Sequence, residues 1–442
     1  MGTSVLAGGP GVGLAETGAD AAAGLRLTDG VLHVDAVPLP VIAESAGTPC
    51  YVYSAGVVRR QYRRLAAAFA GVPHRIHYSV KANSNLALLR LLRDEGAGVD
   101  VVSGGELYRA REAGFGARDV VFSGVGKSAR ELGEALAGGV LFINVESEGE
   151  LVLLDAVARE RGMLAPVALR VNPEVTVDSP HEYIRTGEKG HKFGIPFDEV
   201  PAAAELARSL PNLRLVGLDM HIGSQLASFE PYGAALLRVL GLLTRLRADG
   251  ADAIEYLDVG GGLSVTYSDE QPVDVERFAR GVIDATRGLG LTLVLEPGRF
   301  LVAEAGVLVA RVLYRKHSGG KEYVITDAGM NDLVRPSHYD AYHAITAVAP
   351  RGGTLTADVV GPVCESGDFL ALDRTTDDVR PGDLLAVHTA GAYGFVMASN
   401  YNSRPRPAEV LVDGARYAVV TERERYEDLV RQERAALDWR AA

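Results

Sequence analysis

The chain has 442 residues, 47% of them hydrophobic and 23% charged, a composition that suits a globular protein with room for two domains. Its 45 Lys and Arg against 57 Asp and Glu leave a formal charge of −12, which argues against a general binder of nucleic acid or of anionic membranes. Two widely separated cysteines, Cys50 and Cys364, suggest neither a disulfide framework nor a metal centre, and they fit a reducing cytoplasm.

Residues 1–26 lack a basic region and a sustained apolar core, so no signal peptide is read. The GGPGVG within them follows no strand, and the segment is expected to be a flexible tail. No apolar run reaches membrane-spanning length. Residues 27–47 carry a D-G hairpin signal in LTDGVLHVDAVPL and are expected to join a β-rich second domain.

From 48 to 305, short β-branched apolar runs alternate with segments of helical period. The strand candidates are RIHYSV (75–80), GVDVV (98–102), DVVFS (119–123) and LFINV (141–145). They continue with VALRVN (167–172), RLVGLDMHI (214–222), IEYLDV (254–259) and LTLVLE (291–296). Between them lie helices such as NLALLRLLRDEG and SEGELVLLDAVARERG, where Ser147 and Glu150 make a capping-box pattern. Eight βα repeats over about 250 residues have the size of a (β/α)8 TIM barrel, with a doubly wound open sheet as the alternative. Residues 306–442 lose the helical period and read as a β-rich C-terminal domain that ends in a charged helix.

In such a barrel the chemistry sits at the C-terminal ends of the strands. The residues there include Lys81, Ser103 to Glu106, Ser123, Asn144, Glu146, Arg170, Asn172, HIGSQ (221–225), GGGLS (260–264) and EPGR (296–299). A lysine at one strand end can form a Schiff base, and a glycine triplet can expose backbone N–H groups to a phosphate. Together they suggest an aldehyde cofactor with a phosphate, and pyridoxal 5'-phosphate has the matching parts. Glu296 could partner its ring nitrogen and His221 could stack on its face. No metal is expected.

The motifs YSVKANSN, DVVSGGEL, HKFGI, HIGSQ, DVGGGL, EPGR, DAGMNDLVRPSHYDAYH, GPVCESGD and GAYGFVMASNYNSRPRPAEVL follow one another in order from about residue 27 to 420. As a set they resemble the diaminopimelate decarboxylases, of the alanine-racemase-like, fold type III group of pyridoxal-phosphate enzymes. The resemblance implies a homodimer whose active sites are completed by the partner subunit, and decarboxylation of meso-2,6-diaminopimelate to L-lysine and CO2. It makes Lys81 the Schiff-base lysine, His221 the ring-stacking residue and Glu296 the pyridine partner. Gly260, Gly261, Gly262, Pro297, Gly298, Arg299 and Tyr393 complete the implied cofactor site. Arg299, Arg335 and Tyr339 would hold the substrate carboxylate, Glu365 and Tyr393 would recognise the far end, and Cys364 would help protonate the carbanion. Ser337 and His338 depart from the small and apolar residues usual there, and the HEYIRTGEKGHKFGI loop also varies. Open alternatives are a related decarboxylase acting on ornithine, lysine, arginine or a carrier-linked amino acid, a racemase, and a non-catalytic homologue.

Overall fold

The computed structural model describes residues 24–175, 190–226 and 228–433. Most of the expected tail, the loop immediately before HKFGI and the last residues of the terminal segment lie outside the described residues. The chain divides into two compact units: residues 55–305, and a second unit made of the segments up to Ser54 and from Gly306 onward. No helix among the described residues is long and apolar enough to cross a membrane.

The first unit is a closed parallel barrel. Its strands are His74–Ser79, Gly98–Val101, Val120–Phe122, Phe142–Val145, Ala165–Asn172, Leu213–Met220, Tyr256–Asp258 and Thr292–Leu295. Each pairs with the next, and the last returns to the first through Leu295 opposite Ile76, which closes the ring and excludes the open sheet. These runs are almost wholly buried, as strands between a packed lumen and a ring of helices must be.

The lumen is layered, and the layering places the chemistry. Val121, Phe142, Ala168, Val216 and Val294 pack with Tyr256 into an apolar plug. Side chains two apart on a strand share a face, so the next inward layer toward the C-terminal ends is Ser123, Asn144, Arg170, Asp258 and Glu296. In the sixth strand the step from Val216 to Asp219 is three residues, because a register shift between Leu215 and Gly217 takes up one residue.

The second unit is mostly sheet. A long strand, Gly306–Ser318, pairs antiparallel with Cys50–Ser54, Leu384–Val387 and Lys321–Thr326. Cys50–Ser54 also pairs parallel with Ala408–Asp413, so the barrel unit begins at Ala55 and not at residue 48. The D-G hairpin forms between Leu25–Thr28 and Val31–Val34, with positive φ at both Asp29 and Gly30 as a type I′ turn requires. Its apolar face packs with Val307, Val309 and Val410.

Only half of the predicted capping box forms. Ser147 accepts from Glu150 N, but the Glu150 carboxylate accepts instead from Glu146 N and from Lys127 Nζ at 2.6 Å. Lys127 is buried, and its ammonium also donates to Gly124 O and Asn144 O, so three acceptors satisfy its three donors. The ammonium thus ties the ends of the third and fourth strands to the following helix. Replacing Lys127 with Met leaves Glu150 a buried, uncompensated carboxylate, with an expected loss of about 3–5 kcal/mol in urea unfolding. The double change Lys127→Met, Glu150→Leu should recover most of that loss, and a single variant as stable as the parent would refute the account.

Candidate active site

Lys81 lies in a 3-10 turn, Val80–Ala82, at the end of the first barrel strand. Its Nζ is 3.3 Å from Asp100 Oδ2, and its side chain remains partly open while Asp100 is fully buried. Ser79 Oγ stands 3.0 Å from both Asp100 Oδ2 and Glu296 O, which joins the first, second and eighth strand ends.

Glu296 is buried, with Oε1 near Ser123 Oγ at 3.4 Å and Asn144 Nδ2 at 3.5 Å. Burial raises its pKa well above the carboxylate range, and the charges of Asp100, Asp258 and Asp219 push the same way. Burial likewise pushes Asp258 up to about 7, although a hydrogen bond with Glu296 opposes the shift. Oxygens of Asp219, Asp258 and Glu296 lie within 4.8 Å of one another, close enough for a cation to bridge. Burial and the repulsion among these acids favour their protonated forms.

The glycine triplet fills a slot. A Cβ on Gly260 would stand 2.6 Å from Met220 O, one on Gly261 2.2 Å from Glu296 O, and one on Gly262 2.4 Å from Gly223 O. Gly260 and Gly262 also have positive φ. Gly260 N donates to Asp258 Oδ1 at 2.9 Å, and Gly261 N makes a long contact of 3.4 Å with His221 Nδ1. Two N–H groups expected to face an anion are thus directed, at least in part, to protein acceptors. His221 is held neutral, its pKa lowered by burial and then by Arg170 and Lys81, and Nδ1 keeps a lone pair toward Gly261.

Gly298 passes close to Ser79 and Ala82, so the EPGR turn rests on the lysine turn. Arg299, also buried, donates from Nη1 to Tyr267 Oη at 2.7 Å and lies 3.3 Å from Ser224 Oγ. Ser103 and Glu106 are engaged at the start of helix Gly104–Glu112, where Ser103 accepts from Glu106 N and Glu106 from Val102 N.

The remaining predicted residues belong to the sheet unit. Arg335 opens the short helix Arg335–Tyr339, is buried, and donates from Nε to His343 Nε2 at 3.3 Å. Tyr339 is half-buried, with its ring edge-on to exposed His338. Cys364 and Glu365 are exposed on one loop: Cys364 N donates to Asn402 Oδ1 at 2.7 Å, and Glu365 accepts from Tyr401 Oη at 3.1 Å. Tyr393 is half-buried with φ of 55°. Asp368 clasps two of these loops, accepting from Met330 N and Val363 N, each at 2.6 Å.

Sequence reasoning passed over Asp100, Asp219, Asp258 and Asp368. The one signal for the first three was a single acid inside an otherwise apolar strand run, and the fourth stands four residues after Cys364. The polar layer fits a cationic ring. Asp100 Oδ1, Asn144 Oδ1 and Asp219 Oδ1 are buried acceptors that receive no hydrogen bond among the described residues. A surplus of acceptors and negative charge beside an amine is what a protonated pyridine with an aldehyde requires.

Residues 55–303 match the family described as pyridoxal-dependent decarboxylase, pyridoxal binding domain. A curated diaminopimelate decarboxylase of Pseudomonas aeruginosa is 51% identical over 91% of this chain and 96% of its own length. Among solved structures, diaminopimelate decarboxylase from Helicobacter pylori complexed with L-lysine is 41% identical, with a TM-score of 0.86 over 89% of this chain and 99% of that one. A lysine/ornithine decarboxylase from Vibrio vulnificus complexed with putrescine is 25% identical, with a TM-score of 0.75 over 85% of this chain and 96% of that one. By its barrel, its strand-end residues and these likenesses, the chain belongs to the pyridoxal-dependent decarboxylases, in the diaminopimelate decarboxylase family.

Proposed function

We propose that this chain decarboxylates meso-2,6-diaminopimelate to L-lysine and CO2 with pyridoxal 5'-phosphate as cofactor. The observation that carries the substrate is the contrast between 51% identity to a diaminopimelate decarboxylase and 25% to a lysine/ornithine decarboxylase. A substrate that keeps one carboxylate after losing another needs fixed cations, and arginine meets a carboxylate with a planar, charge-assisted fork. Arg299, Arg335 and Tyr339 are assigned to that carboxylate, and Glu365 and Tyr393 to the far end.

Bound pyridoxal phosphate supplies an electron sink for the bond to the departing carboxylate. Lys81 supplies the amine that holds the aldehyde, and its neighbour Asp100 orients it. Glu296 holds a proton at the ring nitrogen, and neutral His221 offers a flat face to the ring. Gly260 to Gly262 and Tyr393 are assigned to the phosphate, Pro297, Gly298 and Arg299 to the rest of the cofactor site, and Cys364 to returning a proton to carbon. We assign the protein to the cytoplasm as a homodimer in which the partner subunit completes each active site. The exposure of Cys364 and Glu365 supports this reading.

The assay that tests the function follows CO2 and L-lysine from meso-diaminopimelate with the purified holoenzyme. Absence of turnover in protein that still shows cofactor absorbance would move the substrate to another amino acid. Lys81→Ala should abolish both turnover and the visible cofactor absorbance, and a purified variant that kept both would overturn the role of Lys81. Removal of the cofactor leaves the acid layer without its cationic partner. Asp258, at about 7, and Glu296 then bind protons more tightly folded than unfolded, so their contribution to stability is lost as pH rises from about 4 through the folded values. The gap in Tm between holoenzyme and cofactor-free protein should therefore widen from about pH 6 to about pH 8, roughly one unit either side of the Asp258 value of about 7. A constant gap would count against the account.

A further inference from the structure

We infer that His343 is a positioning residue, one that presents Arg335 to the carboxylate the substrate keeps. The inference rests on the substrate reading above and adds to it a residue that touches no substrate. His343 is fully buried and stands eight residues beyond Arg335, past the end of the short helix. Its Nδ1 lies 2.8 Å from His388 O, and its Nε2 lies 3.3 Å from Arg335 Nε.

The partners fix its protonation. A backbone carbonyl can only accept, so Nδ1 carries the hydrogen; a guanidinium can only donate, so Nε2 keeps its lone pair. His343 is therefore a neutral imidazole of one tautomer, aimed at Arg335 from a fixed base. That base is rigid on both sides. Arg374 Nη1 donates to His343 O at 2.7 Å, while its guanidinium lies 3.8 Å from the centre of the Tyr342 ring. His388 N donates to Ala344 O, and its ring bonds Thr346 Oγ1 at 2.8 Å. His388 is neutral near pH 7, with burial lowering its pKa to about 4. An imidazole on Nε fixes the plane of the Arg335 guanidinium, and with it the direction of the fork.

Two variants separate this role from simple packing. The amide nitrogen of Asn can replace Nδ1 and keep the bond to His388 O but does not reach Arg335, whereas Gln extends to the position of Nε2 and restores an acceptor. In the holoenzyme, His343→Asn should raise KM for meso-diaminopimelate and the inhibition constant for L-lysine about tenfold, with kcat nearly unchanged. Cadaverine, which is lysine without its carboxylate, should inhibit both proteins alike, and His343→Gln should restore most of the lost affinity. The cofactor absorbance should be the same in all three proteins. Unchanged KM and lysine inhibition in His343→Asn, or equal weakening toward lysine and cadaverine, would overturn the inference. Nitrogen NMR of histidine-labelled wild-type holoenzyme tests it without a variant: a signal for His343 protonated at Nε2 would overturn it equally. Failure of the wild type to turn over meso-diaminopimelate would instead overturn the substrate reading.

Discussion

Asp219, Asp258 and Glu296 are buried together at one level of a closed barrel, and three carboxylates so placed cannot all be ionised without cations. The surrounding architecture answers that constraint. Arg170 reaches in from the fifth strand, within 3.7 Å of Asp219, and is itself held by Glu146 at 2.9 Å. Lys81 approaches Asp100 from the rim, and burial raises the pKa of both Asp258 and Glu296, which favours their uncharged forms. The apolar plug beneath gives the layer no further polar partner from below, so its charges are balanced from the side and the rim. Asp258 also links two tasks, because its Oδ1 fixes the first glycine of the GGG turn while its carboxyl lies within 4.8 Å of that of Glu296, the residue assigned to the ring nitrogen.

The sheet unit uses a related device to shape its loops. Asp368 gathers the backbone N–H groups of Met330 and Val363, and glycines at 329 and 361 leave room for it: a Cβ at either would stand 2.6 Å or less from a carboxylate oxygen. Tyr51, fully buried, donates its hydroxyl to Asp332 O and presses on Gly394, so one ring steadies both the loop before Arg335 and the loop that carries Tyr393. In both units the residues assigned to chemistry are braced by buried polar groups that meet no substrate. Such bracing is what holds a site to the geometry its reaction needs.

Much of the fold was legible because its periods are clean. The eight strand runs stood out by β-branched content and spacing, and the residues after them marked the rim. The acids within the strands were less legible, since a single Asp in GVDVV or IEYLDV looks like the outward residue of an alternating strand. Only closure of the barrel turns it inward. The bulge at Val216 hid Asp219 further by breaking the two-residue step. The capping box at Ser147 failed by half because Lys127, twenty residues earlier, claims the Glu150 carboxylate. His343 and Asp368 gave no local signal, as their importance comes from partners distant in the chain or across a loop.

The position of Cys50–Ser54 has a consequence for how the protein is made. This strand is made before its neighbours in the sheet, Gly306–Ser318 and Ala408–Asp413, which follow only after the entire barrel. At roughly 5–20 residues per second, synthesis of the barrel alone takes some tens of seconds. For that time an apolar strand, CYVYS, lacks the two strands that pair with its edges in the folded sheet. Newly made chains are thus open to wrong pairings through a segment that is wholly buried once folding is complete, and chaperone demand during expression should fall on this stretch.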